Sequence, residues 1–223
     1  MNILVTAGNT QTPIDRVRCI TNIFSGRTGA TIATKAAEYG HAVTLFTSHP
    51  DVVEAGHALC VQSYRTFEDL ESLMAGAIPG GGFDAIVHAA AVNDYHVVGT
   101  FAKKGEAFVD VSAGKVKGHH ADLWLRLTPA PKLIDKVRTV WHFAGTLVKF
   151  KLEVGVTEAE LLDIAERSRT HSGADLMVAN TLDGMKDWAY LGAGETYHRV
   201  TRSELASKLL AAVEARHTSD RLD

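Results

Sequence analysis

Cysteine is scarce: Cys19 and Cys60 are the only two in 223 residues. That excludes a disulfide framework, and two thiols cannot enclose a metal by themselves; a reducing compartment is the expectation. No apolar run approaches the roughly 18 residues of a membrane span. The opening Met1-Asn2-Ile3-Leu4-Val5-Thr6 lacks the basic stretch of a signal peptide and reads as a strand. A cytoplasmic chain without a membrane partner is therefore expected. Neither sign of charge dominates: 23 Lys and Arg stand against 26 Asp and Glu, net −3. That argues against a protein that coats nucleic acid. Proline is also sparse, at five, and no linker, repeat or low-complexity stretch divides the chain. Residues 1–223 are expected to form a single domain. What is abundant is ordinary core material: 46% of residues are hydrophobic and 22% charged, which excludes bulk disorder.

Several catalytic signatures are missing as well. The eleven histidines show no His-Glu-x-x-His spacing, and His119-His120 reads as loop surface. There is no Gly-x-Ser-x-Gly elbow and no Gly-Lys-Ser/Thr phosphate loop. Tyr95 does not begin a Tyr-x-x-x-Lys pair, because residue 99 is glycine. That weakens a nicotinamide-dependent reductase, which stays as an alternative.

Short apolar runs predict buried parallel strands at Ile3-Leu4-Val5, 41–46 and 83–92, and further strands at Leu123–Leu127, Trp141–Val148 and Ala174–Asn180. Helices are predicted over 29–39, 67–76, from Pro131, from Thr157 and over 202–216. Gly40 suits a helix C-terminus, and Thr157 with Glu160 has capping-box spacing. From 99 to 118 no period is legible, which predicts a mobile lid loop. The tail from about 217 is expected to fray. Strands alternating with helices give an α/β fold: a doubly wound, mostly parallel, Rossmann-like sheet with helices on both faces. Ligands then bind beyond the carboxyl ends of the strands.

Three polar segments fall at such places. Gly8, with Ser25-Gly26-Arg27-Thr28-Gly29 ahead of a helix, forms a split glycine-rich element. Its glycines serve either phosphate approach or close helix–sheet packing. Pro13 to Asn22 is a polar excursion whose Arg18 could pair with a phosphate or carboxylate. Gly114-Lys115-Val116-Lys117-Gly118 would, if extended, point both lysines to one side.

Taken in order, these segments resemble the phosphopantothenate–cysteine ligase family, most closely its stand-alone bacterial members. The motifs are Leu4-Val5-Thr6-Ala7-Gly8-Asn9-Thr10, Pro13-Ile14-Asp15-x-Val17-Arg18-x-Ile20-Thr21-Asn22 and Ser25-Gly26-Arg27-x-Gly29. Further on come Ala89 to Tyr95, Lys115-Val116-Lys117, Phe150-Lys151-Leu152 and Ala174 to Asn180. The resemblance implies a ligase of coenzyme A biosynthesis. It joins L-cysteine to phosphopantothenate through an acyl-nucleotide, releasing pyrophosphate and a nucleoside monophosphate. It implies CTP ahead of ATP, magnesium with the triphosphate, no flavin, and a homodimer. By the same resemblance Gly8, Gly26, Gly29, Lys115, Phe150 and Asn180 are nucleotide-binding. Arg18, Asn22, Ala90, Ala91 and Asp94 bind substrate, Arg18 that of a neighbouring subunit. Lys115 and Asn22 are the catalytic pair, for the first and second half-reactions.

The chain departs from the family at a few points. Asn9 stands where a second glycine is usual, and its β-carbon is expected to crowd a phosphate. Gly118 replaces a lysine, and Lys149 replaces the glycine before Phe150. The lysines usual before Ala174 are out of register. Asn9 and Gly118 motivate a second alternative, a non-catalytic nucleotide-binding paralogue.

Overall fold

Alternating β-branched and alanine-rich stretches build the chain, and the computed structural model describes residues 1–53, 56 and 58–219. The first half runs β1 (Asn2–Ala7), β2 (Gln11–Pro13), β3 (Cys19–Thr21), α1 (Arg27–Glu38), β4 (Ala42–Thr47), β5 (Leu59–Ser63), α2 (Phe67–Ala77) and β6 (Ala85–His88). Then come β7 (Tyr95–Lys104), β8 (Ala107–Asp110), β9 (Leu123–Pro129), α3 (Leu133–Thr139), β10 (Thr146–Glu153) and α4 (Glu158–His171). The chain closes with β11 (Leu176–Thr181), β12 (Trp188–Ala193), β13 (Thr196–Thr201) and α5 (Leu205–Ser219).

The main sheet has eight strands in the order β13-β12-β11-β10-β6-β1-β4-β5. The six from β11 to β5 are parallel, and β12 and β13 add antiparallel pairs at one edge. Side chains alternate across the strands, so each strand feeds two cores. Ile3, Val5 and Ala7 of β1 pack with Ile32 and Ala36 of α1 and Leu209 of α5. Leu4 faces the other way, toward Leu70 of α2 and Leu133 of α3. Leu161 of α4 covers Met177 and Ala179 on that second face. The doubly wound α/β expectation is therefore met. Capping boxes open α2 (Thr66, Asp69) and α4 (Thr157, Glu160), the latter as its spacing predicts.

The segment expected to be a lid loop is largely sheet. β7 and β8 turn through Gly105, at φ +65°, and pair with β9 in a three-stranded antiparallel sheet. Its alternation is hidden in sequence by the glycine and a register shift between Val97 and Gly99. Only the turn at 105–106 and the stretch 111–122 lie outside strands. β10 begins at Thr146 rather than Trp141. Trp141 and Phe143 are buried, but under α3 in the preceding loop. β6 stops at His88, short of Val92, and α3 starts after Lys132, not at Pro131. α5 stays helical through Ser219. The remainder of the tail expected to fray lies outside the described residues.

Candidate functional site

The sheet order reverses direction between β1 and β6, and a crevice opens beyond their carboxyl ends, as expected for an open α/β sheet. It holds a cavity of about 590 Å³. Gly8, Gly26 and Gly29 line it at the start of α1, and Ala90 and Ala91 line it after β6. Phe150 on β10 and Asn180 on β11 contribute from the far wall. Seven of the residues singled out in sequence thus share one cavity.

The glycines are also needed for packing. Gly8 and Gly26 have φ of +89° and +77°. A β-carbon on Gly26 would lie 2.3 Å from the Gly8 backbone nitrogen, and one on Gly29 would lie 2.6 Å from Ala7 Cβ. The packing reading of these glycines therefore holds, and the same glycines line the cavity. Because α1 comes so close to β1, its first turn faces the cavity. Gly26 is its N-cap without a side-chain cap, and no acid sits in that turn. The positive end of the helix is left uncompensated there.

Cations reinforce it. Arg27, Lys151, Lys186 and Arg202 line the cavity, and no carboxylate does. Lys151 is paired with Glu153 at 2.9 Å. Arg202 donates to the Thr28 hydroxyl, and burial pushes its pKa down. Lys186 and Arg202 lie beyond the last recognised motif. Lys186 follows β11, which is visible as a strand end. Arg202 comes into view only with the topology: two antiparallel steps return β13 to the direction of β11, so its carboxyl end opens on the same crevice.

Beside the cavity lies an asparagine network. Asn22 Nδ2 donates to Ala91 O and Asn93 Oδ1, each at 3.0 Å. Asn93 Nδ2 in turn donates to Thr10 O, Thr12 Oγ1 and Ile20 O, at 2.9–3.1 Å. Asn22 therefore braces the cavity wall through Ala91 without lining it. Asn9 does not crowd the cavity, correcting the sequence expectation. Its amide donates to Asn22 O and its Oδ1 accepts from Ser48 Oγ at 3.1 Å, away from the lining.

Three predicted residues stand elsewhere. Arg18 forks onto Asp15, and its Nη2 donates to Val116 O at 2.6 Å. Asp15 also accepts from the Val116 amide at 3.0 Å, and Arg18 with these amides holds its carboxyl well below the usual carboxylate range. The 114–118 loop is thus latched to the β2–β3 turn, with Val116 buried. Lys115 is exposed beside that anchor and makes no bond among the described residues. Asp94 is ion-paired with Lys132 and is largely exposed. None of the three lines the cavity.

Lys149 crosses to the other face of the sheet. Its ammonium donates to Ser168 O on α4 at 2.9 Å and to Ser172 Oγ at the C-cap of that helix, and burial lowers its pKa. Its charge adds to the burial that pushes His88 down to about 4; His88 Nδ1 bonds Thr6 Oγ1 at 2.9 Å. No group of three metal-ligating side chains occurs among the described residues. With no carboxylate on the wall, the donors suit a magnesium ion carried by phosphate oxygens rather than a resident metal.

Comparison with known proteins agrees on one family. A model described as the DNA/pantothenate metabolism flavoprotein C-terminal domain matches residues 1–215. The coenzyme A biosynthesis bifunctional protein CoaBC of Thermococcus kodakarensis is 35% identical over 221 residues, 95% of this chain and 50% of that one. The chain spans about half the length of the curated relatives it matches. A solved DNA/pantothenate metabolism flavoprotein from Streptococcus pneumoniae superposes with a TM-score of 0.85 at 30% identity, covering 97% of this chain and 100% of that one. A Cab2 variant in complex with phosphopantothenate-cysteine shares the fold, at TM-score 0.75 and 19% identity over 98% of this chain and 86% of that one.

Proposed function

We propose, from the premise that the chain belongs to the DNA/pantothenate metabolism flavoprotein C-terminal domain family, that it is a phosphopantothenate–cysteine ligase. The observation that carries this is the acid-free cavity with four cations at the start of α1, beside the braced Ala90-Ala91 wall. A nucleoside triphosphate, CTP ahead of ATP, is the ligand such a cavity suits, and Phe150 and Asn180 complete its far side. Magnesium accompanies the triphosphate and supplies charge neutralisation at its oxygens.

A carboxylate is a poor acyl donor, and two anions must meet, so oriented positive charge does most of the catalysis. The α1 amides and Arg27 hold the phosphates. Phosphopantothenate is held at Ala90, Ala91 and Asp94; its carboxylate attacks the α-phosphorus, and pyrophosphate leaves. Lys115 neutralises charge on the α-phosphate when the 114–118 loop closes over it. Asn22 orients the acyl carbon for the cysteine amine, which displaces the nucleoside monophosphate. The reaction is redox-neutral and uses no flavin. Both cysteines of the chain are unpaired and exposed, in keeping with a reducing cytoplasm.

The working form is a homodimer, paired through the three-stranded sheet. Phe108 and Trp124 stand there edge to face, each more than half exposed, with Leu127 and Tyr95 nearby on the same sheet. Such a pairing lets Arg18 face the partner's substrate. Asn9 and Gly118 motivate the non-catalytic reading; the bonding of the Asn9 side chain to Asn22 and Ser48 favours the ligase over it.

The test is pyrophosphate release by the purified protein with phosphopantothenate and magnesium, CTP against ATP, with and without L-cysteine. Cysteine-stimulated release supports the reading, and Lys115→Gln and Asn22→Asp are expected to abolish product while keeping the fold. No release from a folded protein with either nucleotide overturns it.

A further inference from the structure

Four cations line the cavity, but their surroundings differ. Lys151 is neutralised by Glu153. Arg27, Lys186 and Arg202 make no ion pair among the described residues, although carboxylates are common on this surface. Arg202 is only partly exposed, and a desolvated guanidinium without an anion is costly. It is also held in place. Its backbone N–H donates to Asp187 O at 2.8 Å, which ties the turn after β13 to the turn after β11 that carries Lys186. Its side chain is anchored on the Thr28 hydroxyl in the first turn of α1, one residue from Arg27. Arg202 thus reaches the first turn of α1 beside Arg27, and Lys186 lines the same cavity from the turn after β11, where a carboxylate or phosphate would satisfy them.

We infer that Arg27, Lys186 and Arg202 form a subsite for the β- and γ-phosphates of the nucleotide, and hence for pyrophosphate as it leaves. This rests on the ligase reading above. Ala90 and Ala91, where phosphopantothenate is held, follow β6, whereas Lys186 and Arg202 enter the cavity from beyond β11 and β13, toward the antiparallel edge of the sheet; Arg27 adjoins Gly26. The α-phosphate lies nearer the reacting carboxylate, the β- and γ-phosphates nearer Lys186 and Arg202. A charge-assisted clamp there stabilises the leaving group as its charge grows.

Calorimetric titration of the wild-type protein with pyrophosphate, CTP and CMP, each with magnesium, tests the clamp against Arg202→Gln and Lys186→Gln. Lys186 is exposed, so its variant keeps the fold, and a melting curve checks both. Each variant is expected to lose about tenfold in affinity for pyrophosphate and CTP, with CMP unchanged. Equal losses for CTP and CMP, or no loss for either variant, overturn the clamp. A wild-type protein that ignores pyrophosphate also overturns it. A wild-type protein that binds pyrophosphate but neither CTP nor ATP overturns the ligase reading and leaves the anion clamp standing.

Discussion

Replacing Gly26 by alanine separates two costs that the structure makes unequal. Gly26 and Gly40 both sit at positive φ, +77° and +84°. An L-residue there costs ~1–2 kcal/mol, partly offset by ~0.4–1 kcal/mol from a stiffer unfolded chain. Gly40→Ala meets nothing within 4 Å, so it carries only this net cost, about 1 kcal/mol. Gly26→Ala also drives its β-carbon to 2.3 Å and 2.7 Å from the Gly8 nitrogen and Cα. Backbone cannot rotate aside as a side chain would, so overpacking adds ~1–3 kcal/mol. For a chain of this length each kcal/mol lowers Tm by ~2–4 °C. Calorimetry should therefore show a fall of ~3 °C for Gly40→Ala and ~6–12 °C for Gly26→Ala. Opening the α1–β1 contact also moves the cavity floor, so only Gly26→Ala should lose nucleotide binding. Equal Tm shifts, or unimpaired binding by Gly26→Ala, would refute the close-packing argument.

Further predictions follow from the polar groups around the cavity. His88 is held neutral, at about 4 against 6.5 in a free chain. Between those values the unfolded chain binds a proton that the native state refuses, so stability falls as pH drops from 6.5 to 4. Tm measured across that window should flatten in His88→Gln; an unchanged slope counts against burial of the ring. Asn9→Gly removes the bonds to Asn22 and Ser48 and should lose ~1–3 kcal/mol of stability in urea unfolding, with no gain in nucleotide affinity. Tighter nucleotide binding by that variant would restore the crowding argument. Asp15→Ala unlatches Val116, so hydrogen exchange at the Val116 amide should rise and acyl-nucleotide formation should slow while nucleotide affinity holds. Unchanged exchange would show that the latch is held elsewhere.

Much of this was legible in the residues, for physical reasons. Buried parallel strands are short and uniformly apolar, so β1, β4, β6 and β11 stand out, and Thr157 with Glu160 marks the start of α4. Glycines at the end of β1 and the start of α1 point to the crevice because a parallel sheet places its ligands there. β7 and β8 were illegible because a bulge and Gly99 break their alternation, and few residues of those strands are buried, Thr100 and Ala102 among them. Arg202 depends on the direction of β13, which no local pattern records. Asn9 shows the opposite limit. A departure from a motif predicts a clash only when the side chain points at the ligand, and this one turns toward Ser48 and Asn22.

The most direct test uses phosphopantothenate carrying heavy oxygen in its carboxylate, incubated with the protein, CTP, magnesium and L-cysteine. An acyl-nucleotide ligase leaves one carboxylate oxygen on the α-phosphorus. Mass spectrometry should therefore find one heavy oxygen in the nucleoside monophosphate, none in pyrophosphate, and phosphopantothenoylcysteine as product. Heavy oxygen in released phosphate or pyrophosphate, or no coupled product from a folded protein, would contradict the account.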